Sequence, residues 1–137
     1  MKITLVDRSN YFKGLLLLIS KDGRITDTER KMTQRIGKAL GFEKEFCERA
    51  IDGILENKFI ENVPPEFSTK ELAAKFIRDG LILACCDGEI HRRKKSWLRS
   101  TARKNGLNSR WFIQELEIAI GRQLFDGHLE VDYVALE

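Results

Sequence analysis

An all-α fold, a pseudo-two-fold bundle of two three-helix repeats, is predicted for this 137-residue chain by three observations. Tyr11 to Ile51 aligns without a gap on Phe76 to Leu116, sixty-five residues later, and internal repetition fixes architecture before any local signal does. Apolar residues within each copy recur at three and four, the helical period, and nothing in the repeat alternates as a strand would. The punctuation repeats as well: Asp22-Gly23-Arg24-Ile25 falls on Asp87-Gly88-Glu89-Ile90, and Gly41 falls on Gly106. The halves are expected at about 10–57 and about 68–121 of a single domain, with a connector at about 58–67 and a tail at 122–137.

The first helix carries Tyr11, Phe12, Leu15, Leu16, Leu18 and Ile19 and is expected to stop at Asp22-Gly23, where glycine tolerates the positive φ that closes a helix. Thr26-Asp27-Thr28-Glu29 reads as a capping box opening the second helix, which points Met32, Ile36, Ala39 and Leu40 inward until Gly41. A third begins near Glu43, with Phe46, Cys47, Ala50, Ile51, Ile54 and Leu55 on one side. Pro64-Pro65 marks the connector. Ser68-Thr69-Lys70-Glu71 is a second capping box, leading through Leu72, Phe76, Ile77, Leu81 and Ala84 to Asp87-Gly88. The fifth helix buries Trp97, Leu98, Thr101 and Ala102 and ends near Gly106. Asn108 then caps a sixth, of Trp111, Phe112, Leu116, Ile118 and Ala119. Residues 3–6 and 129–134 are compatible with short strands or with segments lying across the bundle.

Composition narrows the class. Hydrophobic residues make up 42% of the chain, enough for one sizeable core. No apolar run approaches the roughly 18 residues of a membrane span, the burst from Leu15 to Ile19 being only five residues long. With no signal-peptide pattern at the N-terminus and three cysteines, an odd number that includes the neighbours Cys85 and Cys86, a cytoplasmic location is expected. The net charge of +3 is uneven. The second copy holds nine Lys and Arg against four Asp and Glu, a balance of +5, whereas residues from 117 onward hold one against five, −4.

Helix, Asp-Gly-x-Ile and helix, with Glu29 seven residues after Asp22, invites comparison with a calcium-binding EF-hand. That comparison fails because the first ligand positions would be Leu18 and Leu83, which carry no oxygen for a hard cation. The repeat instead resembles the TerB-like family, the helical domains associated with tellurite resistance, over roughly residues 10–120. The resemblance rests on Asp22-Gly23-Arg24-Ile25 with Glu29, on Asp87-Gly88-Glu89-Ile90, and on Gly41 and Gly106. It implies a non-enzymatic binding or scaffold module in a bacterial stress response, with acidic residues of the two halves converging on a divalent cation such as Ca²⁺ or Mg²⁺. Residue by residue, it nominates Asp22, Glu29 and Asp87 as metal ligands. The chain departs from the pattern at one place: opposite Glu29 in the second copy stands Lys94, whose ammonium has no lone pair and repels a cation, leaving Glu89 as the substitute carboxylate. A competing reading of the Asp-Gly pairs makes them helix-ending turns and Glu29 a capping residue.

A second constellation is basic. Arg92, Lys95, Arg99 and Arg103 recur at three and four, making a positive stripe along one helix, and Lys31, Arg35 and Lys38 form a shorter one on the equivalent helix. Such stripes track phosphates or acidic proteins, although exposed helix faces also carry them for solubility. Protein partners are expected first, nucleic acid second. Cys85 and Cys86 read as small core residues, because a zinc site requires further Cys or His at short spacing and only His91 and His128 exist. No phosphate loop, catalytic triad or zinc-protease motif is present, so no enzymatic activity is expected.

Overall fold

The computed structural model describes residues 2–57, 61–86, 89–121 and 127–137. These contain six α-helices in order, α1 (Leu5–Ile19), α2 (Asp27–Ala39), α3 (Lys44–Gly53), α4 (Lys70–Ala84), α5 (Arg92–Lys104) and α6 (Ser109–Gly121). A 3-10 helix (Glu130–Tyr133) follows, and strand β1 (Lys2–Ile3) pairs in parallel with β2 (Ala135–Leu136). The described residues are all-α apart from that ribbon. Among the described residues, no helix is long and apolar enough to cross a membrane.

Helix boundaries recur with the sequence period: α4 and α5 begin and end 65 positions after α1 and α2, and α6 begins 65 after α3. The helix ends recur too. Leu40 ends α2, Gly41 adopts φ 88°, and the Gly41 and Phe42 amides donate to the Lys38 and Gly37 carbonyls. At the end of α5, Gly106 (φ 75°) and Leu107 donate to the Arg103 and Ala102 carbonyls. Both closures are Schellman motifs, which need a residue free to enter the left-handed region.

The central helices are α1 and α4. Each packs on the other and on both α2 and α5, and α4 also supports α6 and the 3-10 helix. Such surroundings explain why α1 is buried almost without a break from Tyr11 to Ile19. At their contact Gly14 lies under Phe76, where a Cβ would come within 2.7 Å of the ring. Phe76 is in turn wedged edge-on against Tyr11 and Trp97.

Several expected details differ. Helix α1 starts at Leu5, capped by Thr4 through the Asp7 amide, so residues 5 and 6 are helical. It ends at Ile19, before the Asp-Gly turn, with the Ser20 hydroxyl donating to the Leu17 carbonyl. Thr69, not Ser68, caps α4, and the Ser68 hydroxyl donates to buried Asp7. Phe46, Leu55 and Ile118, expected inside, are exposed. The Thr26–Glu29 capping box forms in full, and Asn108 accepts the Arg110 and Trp111 amides at the start of α6.

The connector is seated by side chains from both halves. Asn105 donates to the Pro65 carbonyl and accepts the Phe67 amide, while Asp7 accepts the Ser68 amide. Phe67 is buried beside Tyr11 and Phe76.

Candidate functional site

Glu29 and Lys94 hold the same station on α2 and α5, the third residue after the cap (Thr26 and His91). Side chains there lean back past the helix start, because every Cα–Cβ bond tilts toward the N-terminus. The two side chains meet. Lys94 Nζ donates to Glu29 Oε2 and lies 3.6 Å from Asp22 Oδ2. Glu29 Oε1 accepts the Thr26 amide at 2.9 Å, so the capping box aims the carboxylate at the ammonium. Lys94 and Glu29 are 4% and 1% exposed. Burial at that level makes the pair strongly interdependent, because loss of either partner leaves an uncompensated charge in a poorly solvated place.

Asp22 and Glu29, two of the three expected metal ligands, are thus brought together, and Lys94 Nζ sits against both. Asp87, the third, lies outside the described residues, and Glu89 is exposed. A lysine ammonium has three donors and no acceptor, so the described donor set does not fit a divalent cation with Lys94 in this position. Among the described residues, no group of three His, Cys, Asp or Glu side chains could hold a metal. One ammonium against two carboxylates leaves a formal local charge of −1, which the positive ends of α2 and α5 suit.

The sequence sets Lys94 at the position equivalent to Glu29 as a departure that repels a cation, and not as the buried partner of Glu29. Its period gives it away: Lys94, Trp97, Leu98 and Thr101 are all buried, matching Glu29, Met32, Thr33 and Ile36 in the first half. A charged residue in register with a core face is a candidate for a buried partner.

The basic stripe occupies the other side of α5. Arg92, Arg99 and Arg103 are exposed and Lys95 is half-buried. Among the described residues none of the four forms an ion pair, although the Arg99 guanidinium lies 5.9 Å from the Phe112 ring centre. Helix α5 contains no acidic residue to neutralise them. His91, considered only as a metal ligand from the sequence, caps α5 by accepting the Arg93 amide. Cys47 is buried, and Cys85 and Cys86 are half-buried near the end of α4.

A second buried carboxylate went unnoticed in the sequence. Asp79, fully buried on α4, accepts the Tyr11 hydroxyl at 2.6 Å and the Glu130 and Val131 amides at 2.7 and 3.1 Å, fastening the 3-10 helix to the central helices. Burial raises its pKa to about 6 against the opposing effect of those donors, and burial followed by the Asp79 charge raises that of Tyr11. Every polar contact of Asp79 is made within the fold's own framework, so its role is structural.

No family model, no curated protein and no solved structure matches this chain.

Proposed function

We propose that this chain is a non-enzymatic binding or scaffold module of TerB-like form, in which the carboxylates between its two halves are closed by the Lys94 ammonium in place of a divalent cation. The observation that carries the reading is the placement of Lys94 Nζ against both Glu29 and Asp22, linking the first turn of α5 to the turn and first helical turn that precede and open α2. The 65-residue recurrence of helix boundaries and glycine closures supports the two-half arrangement. An internal ammonium would make assembly of the halves independent of metal supply, leaving the outer helix faces for partners.

Calorimetric titration of the chelator-stripped protein with Ca²⁺, Mg²⁺, Mn²⁺ and Zn²⁺ tests this reading. The wild type should show no saturable heat, and Lys94→Glu, which puts a carboxylate where the ammonium sits, should gain a saturable site. Binding by the wild type that disappears in Asp22→Asn would refute it.

A second reading, anion binding by Arg92, Lys95, Arg99 and Arg103, is favoured by the absence of ion pairs to these four residues among the described ones. Phosphate contacts release counterions, so retention on an anionic matrix should fall steeply with salt. The salt slope should shrink in Arg99→Glu/Arg103→Glu, and an unchanged slope would exclude this face.

A further inference from the structure

The face of the molecule formed by α2 and α3 carries an apolar depression with a basic rim, separate from the Lys94 cluster and from the α5 stripe. Phe42 and Cys47 form its floor, and Lys31, Arg35, Lys38 and Lys44 line it with no carboxylate among the lining residues, around a volume of about 610 Å³. Arg35 is held in place by Asp132 and the Gly127 carbonyl, so it forms a fixed part of the wall. Lys31 and Lys38 are exposed and form no ion pair among the described residues. Among the described residues, Lys44 pairs only with Glu48, at 3.8 Å on the open surface, an interaction of little energetic weight. Phe42 also lines an adjoining groove with Phe12, Leu16 and Phe46, so the apolar floor runs on to the exposed Phe46 ring.

We propose that this depression receives an acidic amphipathic segment of a partner protein, its apolar side chain seated over Phe42 and its carboxylates paired with Lys31, Lys38 and Lys44. Charge complementarity selects the occupant. The cations at positions 31, 35 and 38 spread over roughly 10 Å of helix, which a lone carboxylate or phosphate cannot span but a run of Glu and Asp can. The apolar floor favours such a segment over duplex nucleic acid, whose phosphates offer charge while its bases stay stacked inside. An oligothymidylate probe tests a single strand, whose bases could stack on Phe42. Burying one large apolar side chain adds binding energy that a purely electrostatic site lacks, and places the anchor where salt weakens it least.

Fluorescence anisotropy on the full chain tests the proposal with three probes: a fluorescein-labelled peptide of Glu and Asp around a central Phe-Leu pair, the same peptide with Ser-Ser at its centre, and an oligothymidylate of equal charge. The Phe-Leu peptide should bind, with the other two weaker by about tenfold or more. Lys31→Glu/Lys38→Glu, at two exposed positions, should weaken the Phe-Leu peptide by about tenfold while circular dichroism stays unchanged. Arg99→Glu/Arg103→Glu should leave it unaffected, which keeps this site distinct from the α5 stripe. The proposal is overturned by failure of the Phe-Leu peptide to bind, by equal binding of the Ser-Ser peptide or oligothymidylate, or by indifference to the Lys31 and Lys38 substitutions.

Discussion

Asp79 shows what a single buried charge demands of its surroundings. Its carboxylate takes three hydrogen bonds, yet burial dominates and lifts its pKa from 3.8 to about 6. The groups facing it are the Tyr11 hydroxyl from α1 and the Glu130 and Val131 amides, with the Glu130 carboxylate adding repulsion. A folded-state value above the unfolded one means that the native state holds the proton more tightly. The contribution of Asp79 to stability is therefore fully present below about 3.8 and lost as pH rises through about 6. Urea denaturation across that window should show the stability difference between wild type and Asp79→Asn shrinking as pH rises, and a difference that is flat or grows would contradict the assignment. Asp79 did not stand out in the sequence, and Lys94 stood out as a repulsion to a cation rather than as the partner of Glu29, because a period identifies which face a residue occupies and not which charge waits opposite. Lys94 at least shares the spacing of Trp97 and Leu98. Asp79 lies beside Gly80 in the apolar run from Phe76 to Ala84, and its partners lie 68 residues before it and 51 to 52 after it.

Helices were legible where local chemistry decides them. Thr26 with Glu29, Asn108, Gly41 and Gly106 are caps whose partners sit within five residues, so each could be read without tertiary information. Tertiary contacts set the remainder. Thr69 displaces Ser68 as the cap of α4 because Asp7, 61 residues away, takes the serine hydroxyl, and Phe46 turns outward into a ring cluster with Phe12 and Phe42. The two glycine closures offer a matched comparison. Alanine at either position meets the same left-handed backbone strain, about 1–2 kcal/mol. Its surroundings differ: a Cβ at Gly41 would lie 2.8 Å from Leu136 and 2.9 Å from the Arg8 guanidinium, which donates to the Leu40 carbonyl. At Gly106 its nearest neighbour is the end of the Lys70 side chain, at 3.0 Å. Gly41→Ala should therefore lower the urea midpoint more than Gly106→Ala, and the reverse order would show that β2 does not brace the end of α2.

On the scale of the whole molecule, two halves of similar helical layout carry opposite charges at one equivalent position, Glu29 in the first and Lys94 in the second. Those opposite charges form a buried ion pair between α2 and α5, and the surrounding N-terminal helix ends tolerate the remaining negative charge. The repeat and the helix order were visible in the sequence, whereas a meeting of Asp22 with Glu29 was implied only by the family resemblance. Lys94 was placed opposite Glu29, but its burial and pairing were not legible, because it lies within the otherwise outward run from Arg92 to Lys95.

The measurement that bears most directly on this arrangement is a double-mutant cycle by urea denaturation, using Lys94→Met, Glu29→Gln and the two combined. A buried pair predicts a loss of about 3 kcal/mol or more for Lys94→Met, with the double variant recovering about 1–3 kcal/mol relative to the sum of the single losses. Additive effects, or a Lys94→Met protein as stable as the wild type, would contradict the pairing of Lys94 with Glu29 on which the proposed function rests.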